Sequence, residues 1–264
     1  MNGDTLPTDP ARADRLACYM LKTLNRAVRE HGLLRSGDRV LVAVSGGKDS
    51  LTLLDLLHRR RRQAPEHYSL AAGHIQSDYH CGRAVPQEWL AAWCADRDIP
   101  LEVARIEVAE ELARTGANPC FRCAWHRRRA LFEIAERLGC CTVAYGHHAD
   151  DRAETALMNL IYSAAFRGMA VRRTFFDGAF TVIRPLAYVE ERDIVPFARA
   201  SGYPLAGEPC PAGANTKRAV ARALLQQAEQ AHRGSRRSIL AALAKVEPVQ
   251  PDNVASAKEE PDRG

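Results

Sequence analysis

No apolar run in this 264-residue chain reaches the roughly 18 residues that mark a membrane span. The opening Met1-Asn2-Gly3-Asp4 is polar and acidic, without the basic and then apolar build of a secretory signal, so a cytoplasmic location and no membrane partner are expected. The two commonest nucleotide-loop strings are missing. The absence of G-x-x-x-x-G-K-[ST] excludes the usual P-loop, and the absence of G-x-G-x-x-G excludes the dinucleotide fingerprint. There is no internal repeat, and no second C-x-x-C to complete a four-cysteine zinc site. What is present suits one α/β domain with extensions: 46% hydrophobic residues are enough for a substantial core. The formal charge of +5 is modest, but its placement is uneven. Arginines run from Arg59 to Arg62 and from Arg127 to Arg129. Others lie at Arg167, Arg172, Arg173, Arg218, Arg222, Arg233, Arg236 and Arg237, with Lys217 among them. Each run alone suits a solvated helix face; together they are compatible with a nucleic-acid footprint.

The most informative stretch is Ser45-Gly46-Gly47-Lys48-Asp49-Ser50. It follows the apolar Val40-Leu41-Val42-Ala43-Val44 and precedes Leu51-Thr52-Leu53-Leu54, which reads as strand, tight turn, helix. Glycines let backbone approach a ligand closely, and the free N–H groups and dipole of a helix start favour an anion there. The expectation is a phosphate cradle. The string S-G-G-K-D-S resembles the PP-loop of the ATP pyrophosphatases. That resemblance implies a loop gripping the β- and γ-phosphates of ATP, which is split to AMP and pyrophosphate.

Strands and helices then alternate. Strands are expected at 38–44, 69–75, 101–106 and 141–145, and helices at 11–33, 49–62, 86–97, 123–138 and 150–166. Leu131, Ile134, Ala135 and Leu138 keep helical spacing, as do Leu157, Leu160, Ile161 and Ala164. The fold class is therefore α/β, a Rossmann-like doubly wound parallel sheet of the PP-loop type with N- and C-terminal helices. Ligands of such sheets sit beyond the carboxyl ends of the strands, where 45–50 falls. A hairpin is expected at 171–183, turning at Asp177-Gly178, followed by helices at 190–201, 215–231 and 235–245. By domain, 1–10 reads as a flexible tail, 11–246 as the PP-loop domain with its inserted hairpin, and 247–264 as a disordered tail.

Eight cysteines in a reducing compartment favour metal or redox chemistry over disulfides. Cys120-Phe121-Arg122-Cys123 lies just before an expected helix. The spacing by itself serves zinc, an iron–sulfur cluster or a redox pair, and a helix N-terminus lowers a thiol's pKa for all three. Cys140, Cys141, Cys18 and Cys94 read as small core residues. Cys210 stands apart, in Gly207-Glu208-Pro209-Cys210-Pro211, a proline-stiffened loop ahead of a basic helix.

Four features occur in order: S-G-G-K-D-S; Cys120-x-x-Cys123 with Arg127 and Arg128 beyond; Gly146-His147-His148-Ala149-Asp150-Asp151; and Pro209-Cys210 before Arg218-Ala219-Val220. Together they resemble the TtcA family of tRNA 2-thiocytidine synthetases over residues 15–247. The resemblance implies a [4Fe–4S] cluster held by Cys120, Cys123 and Cys210, with one iron left open to bind sulfide and deliver it to the nucleobase. It implies ATP and Mg²⁺ as well, tRNA as substrate, and a sulfur donor such as a cysteine desulfurase. The family often forms dimers, so a homodimer is a further implication. ATP would adenylate the C2 oxygen of cytidine 32, sulfur would attack C2, and AMP would leave. Ala43, Ser45, Gly46, Gly47, Lys48, Asp49, Ser50, Gly146 and Asp151 are the expected ATP contacts. Lys48, Asp49, Asp151, Arg127 and Arg128 are the expected catalytic set, with Asp49 also a Mg²⁺ contact. Of the adjacent Asp150 and Asp151, the first is assigned to helix capping and the second to function. His147 and His148 are read as either core or ligand residues.

Two positions depart from the family. Its members usually carry Asp directly after the second strand, where this chain is expected to end His74-Ile75-Gln76 with Asp78 two residues on. Gly207 also replaces a cysteine that many members have three positions before the downstream ligand. The competing readings are another PP-loop tRNA modifier, either a lysidine synthetase or a uridine thiolase, and a nucleotide- and RNA-binding protein without catalysis. The N-terminal zinc cysteines typical of the uridine thiolases are missing.

Overall fold

Val40, Leu41, Val42 and Ala43 are all buried, as a strand covered on both faces requires. They form β1 (Arg39–Ala43), the centre of the fold in a computed structural model that describes residues 8–79, 85–115, 119–204 and 216–246. β1 pairs in parallel with β2 (Ser69–Ser77) on one side and β4 (Thr142–Ala144) on the other. β3 (Leu101–Ile106) extends the sheet beyond β2. β6 (Phe180–Ile183) pairs in parallel with β4, and β5 (Arg172–Phe175) closes that edge antiparallel to β6. The order is β3-β2-β1-β4-β6-β5. The chain winds outward from β1 in both directions, so the reversal of strand order falls between β1 and β4. A ligand crevice forms at such a point, outside the carboxyl ends of the strands.

One core lies between the sheet and α1 (Pro10–His31), α2 (Lys48–Arg60), α3 (Gln87–Ala95) and α7 (Glu191–Ala200). It includes Met20, Leu24, Leu53, Leu57, Leu90, Ile194 and Phe197. The other face is covered by α5 (Pro119–Arg137), whose Leu131, Ile134 and Ala135 pack on Leu41, Ile75 and Val143. α4 (Ala109–Thr115) precedes α5, and α6 (Ala149–Ser163) follows β4. α8 (Lys217–Ala231) and α9 (Ser235–Val246) pack against α6. Among the described residues no helix is long and apolar enough to cross a membrane.

The structure bears out the alternation and the fold class and corrects several details. The hairpin is not an appendage: β6 continues the parallel ladder from β4, and only β5 is an added edge. β2 runs to Ser77, because Gln76 and Ser77 find partners in Arg105 and Ile106 of β3. Asp78 is therefore the residue directly after the second strand. α5 begins at Pro119, so the C-x-x-C lies within its first turns and not ahead of it. Cys94 and Cys140 are core residues as expected, but Cys18 and Cys141 are exposed. On α1 the buried stripe runs through Ala13, Ala17, Met20 and Leu24, and Cys18 sits one residue off it. Asp9 caps α1 by accepting from the Arg12 N–H at 3.0 Å, which brings the end of the expected tail into the fold. Residues 1–7 and 247–264 lie outside the described residues.

Candidate functional site

The loop after β1 is shaped by its own serines. Ser50 Oγ donates to the Gly47 carbonyl at 3.0 Å, accepts from the Ser45 N–H at 3.2 Å, and lies 3.2 Å from Ser45 Oγ. Ser45 Oγ accepts in turn from the Gly47 N–H at 3.3 Å. Gly46 has φ +87°, and a Cβ there would stand 2.7 Å from Val85 N, so glycine is required on two counts. Gly47 is the N-cap of α2, whose first-turn N–H groups have no acceptor within the helix and point out at the sheet edge. Ala43 ends β1 beneath the loop and is buried.

Gly146, after β4, is what joins this loop to its neighbour across the crevice. A Cβ at Gly146 would lie 2.9 Å from Asp49 C, Asp49 O and Ser50 N. The β4 loop therefore rests directly on the first turn of α2. Next to it is a compact charged cluster. Lys48 Nζ is 2.8 Å from Glu191 Oε1 and 3.1 Å from Asp49 Oδ1. Burial works against the Lys48 charge, but Asp49 and Glu191 outweigh it and raise its pKa. Asp49 is pushed up by burial, reinforced by Asp151 and countered by His148 and Lys48. The buried His148 ring has Nε2 3.7 Å from Asp49 Oδ1 and 3.5 Å from Asp151 Oδ2, and Nδ1 3.5 Å from Asp150 Oδ2. Burial would lower its pKa, yet these carboxylates raise it. His147 goes the other way, to about 4, through burial and the positive charges of Arg184 and Arg218. The Arg184 Nε–H donates to His147 Nδ1 at 3.2 Å, which suits a neutral ring.

The helix cap, expected from Asp150, is made by Asp151. Asp151 Oδ2 accepts from the His148 N–H at 3.0 Å and so caps its own helix. Its Oδ1 stands 3.4 Å from Arg218 Nη1. The buried Asp150 accepts from the Glu191 N–H at 2.7 Å and lies 3.2 Å from Arg236 Nη1, tying the start of α7 and the start of α9 to α6. Adjacent carboxylates at a helix start look alike in sequence, and which one turns inward depends on tertiary neighbours. Glu191 was not singled out from sequence for a related reason. An acid in a first helical turn reads as dipole compensation, and its approach to Lys48 bridges residues far apart in the chain.

α5 brings its N-terminal turns to the same edge. Cys123 is buried and Cys120 exposed. Cys210 lies outside the described residues, and among the described residues no three or more His, Cys, Asp or Glu side chains form a metal-holding group. Arg127 is part-buried and close enough to His74 to help burial lower that histidine's pKa. His74 Nδ1–H donates to the carbonyl of Val44, just before the loop, at 2.7 Å. The exposed Arg128 faces Tyr145 and Arg184. Tyr145 Oη is shielded from solvent and has no hydrogen-bond partner among the described residues, and its ring stacks on His147. Both arginines belong to α5, with Arg127 near His74 of β2 and Arg128 near Tyr145 and Arg184, which follow β4 and β6. Asp78 is taken by structure: its carboxylate accepts from the Val108 N–H at 2.8 Å and the Ala109 N–H at 3.2 Å.

A phosphate loop of this build at the switch point of a doubly wound sheet defines a PP-loop domain, and residues 19–229 match that family. The tRNA-cytidine(32) 2-sulfurtransferase of Geobacter sulfurreducens is 40% identical over 230 residues, covering 85% of this chain and 88% of the relative. The enzyme of the same name from Stenotrophomonas maltophilia is 35% identical over 253 residues, covering 92% and 81%. This chain belongs to the tRNA-cytidine(32) 2-sulfurtransferase family. Its fold is shared with the U34-tRNA thiolase NcsA of Methanococcus maripaludis, solved with its [4Fe-4S] cluster, at a TM-score of 0.68 and 22% identity over 87% of this chain and 79% of that one.

Proposed function

We propose that this protein is an ATP-dependent tRNA sulfurtransferase that converts cytidine 32 to 2-thiocytidine. The observation that carries the reading is the convergence of two motifs, distant in sequence, on one sheet edge. The phosphate loop opens α2 on one face of the sheet, and the C-x-x-C opens α5 on the other.

The residues fit the groups the reaction needs. Lys48 offers a cation at the loop, and the α2 N-terminus adds N–H donors for phosphate oxygens. Asp49 Oδ1 is shielded and accepts no hydrogen bond, although Lys48 Nζ is 3.1 Å away. Such an oxygen suits Mg²⁺, which is commonly held by one or two carboxylates together with substrate phosphates. Cys120 and Cys123 are one helical turn apart at a helix start, where the dipole favours thiolates. With Cys210 they would hold a [4Fe–4S] cluster, which when bound supplies the sulfur-transfer chemistry.

In the first step the C2 oxygen of cytidine attacks the α-phosphorus of ATP. The new O–P bond forms as the bond to pyrophosphate breaks. Lys48 and the loop N–H groups take up the charge growing on the departing pyrophosphate. When nucleotide arrives, Glu191 and Asp49 are the partners Lys48 exchanges for phosphate oxygens. Arg127 and Arg128, on the α5 side of the crevice, hold the phosphates and the RNA backbone. In the second step sulfide attacks C2, and the C2–S bond forms as the C2–O bond breaks and its electron pair leaves with AMP. Positioning of the two reactants by the crevice walls supplies the remaining rate advantage.

Protein purified and assayed without oxygen tests the reading. It should carry about four irons and four sulfides per chain and release pyrophosphate from ATP faster when unmodified tRNA is added. Stoichiometric zinc in a colourless protein would refute the cluster. Pyrophosphate release that requires lysine, or that is unaffected by Cys123→Ser while product forms, would point to a lysidine synthetase.

A further inference from the structure

The outer face of α5 carries a feature that the crevice chemistry does not use. Trp125 is 41% exposed, and Phe121, one turn earlier, is 49% exposed. The guanidinium carbons of Arg122 and Arg129 lie 5.3 and 5.8 Å from the Trp125 ring centroid. Positions 122, 125 and 129 are three and four apart, so these side chains form one stripe. The His126 ring meets Trp125 edge-on at 4.8 Å. The stripe is braced from α4: Glu111 pairs with Arg122 and lies 2.6 Å from His126. Glu133 pairs with Arg129 at 2.9 Å. The opposite face of the helix carries Cys123, Leu131 and Ile134 in the core, so Trp125 contributes little to packing there.

We propose that Trp125 is a stacking platform for an unpaired RNA base that neighbours the base entering the crevice, with Arg122 and Arg129 gripping the flanking phosphates. A flat ring among guanidinium groups matches what an RNA loop offers, splayed bases on an anionic backbone. An acidic protein surface would satisfy the arginines but supply no flat partner for the indole. The platform stands one helix diameter, about 10 Å, from the inward face that carries Cys123. The proposal rests on the tRNA-modifying function proposed above.

The test compares wild type, Trp125→Ala and Trp125→Phe for binding to unmodified tRNA, to its isolated anticodon stem-loop and to a fully paired RNA duplex, alongside the KM for ATP. Trp125→Ala should weaken tRNA and stem-loop binding about 5- to 100-fold, the range of one lost base–aromatic stack. It should leave duplex binding and the KM for ATP unchanged, and Trp125→Phe should retain most of the affinity. Unchanged stem-loop binding by Trp125→Ala overturns the platform and leaves the enzyme reading standing. An equal loss on paired duplex also overturns it, since stacking would then not be the cause. A wild-type protein that binds no tRNA overturns the function itself, and the platform with it.

Discussion

One added carbon at Gly146 would meet Asp49 and Ser50 at 2.9 Å, backbone against backbone, with no flexible side chain to give way. Gly146→Ala should therefore cost about 1–3 kcal/mol in urea unfolding and raise the KM for ATP, because relief must come from shifting the phosphate loop. A change in KM with stability unaltered would contradict the packing role. Lys48→Ala should cut pyrophosphate release about 10²- to 10³-fold, the range for losing one group aimed at developing charge. His147 makes a pH prediction. Its folded pKa, about 4, lies below the 6.5 of the free side chain. Between these values the unfolded chain binds the extra proton, so stability is present above pH 6.5 and is lost as pH falls toward 4. The loss is on the order of 3 kcal/mol. Urea midpoints in EDTA should fall over that interval for wild type and fall less for His147→Asn. At this scale the loop residues were legible, because S-G-G-K-D-S keeps its chemistry within six neighbours. Glu191, and the capping of α6 by Asp151 with Asp150 turned toward α7, were not legible, because they depend on contacts between α2, α6 and α7.

Secondary elements were legible where burial enforces a period. The alternating apolar runs gave β1, β3 and the core faces of α1 and α5 to within a few residues. The start of α5 was misplaced because Pro119 is a good first helical residue and the cysteines beyond it carry no helical signal of their own. α4 was missed because its seven residues bury only Leu112. The C-terminal elements are held on by charge as well as apolar contact. Glu154 is buried on α6 and receives Arg222 of α8 at 2.6 and 3.2 Å. Arg222→Ala would leave that carboxylate unpaired and should cost about 1–3 kcal/mol in chemical denaturation. The double variant with Glu154→Gln should recover part of the loss. If the single variant loses nothing, α8 is anchored by Ala221, Leu225 and the Arg218–Asp151 contact without help from Arg222.

For the whole molecule, the sheet order places the starts of α2, α5, α6 and α7 on one edge, so residues between 45 and 191 share a crevice without being near in sequence. Fold class followed from alternation, and the reaction from the family that the ordered motifs resemble; the spatial link between them required the winding of the sheet. The central claim is that the loop at 45–50 activates a tRNA base that the cysteine-bearing half of the site then thiolates. The direct measurement is nucleoside mass spectrometry of tRNA from a strain lacking this gene, complemented with wild type, Lys48→Ala or Cys123→Ser. The account predicts that 2-thiocytidine disappears with the gene, returns with wild type and does not return with either variant. Normal 2-thiocytidine in the deletion strain, or full restoration by Cys123→Ser, would contradict it.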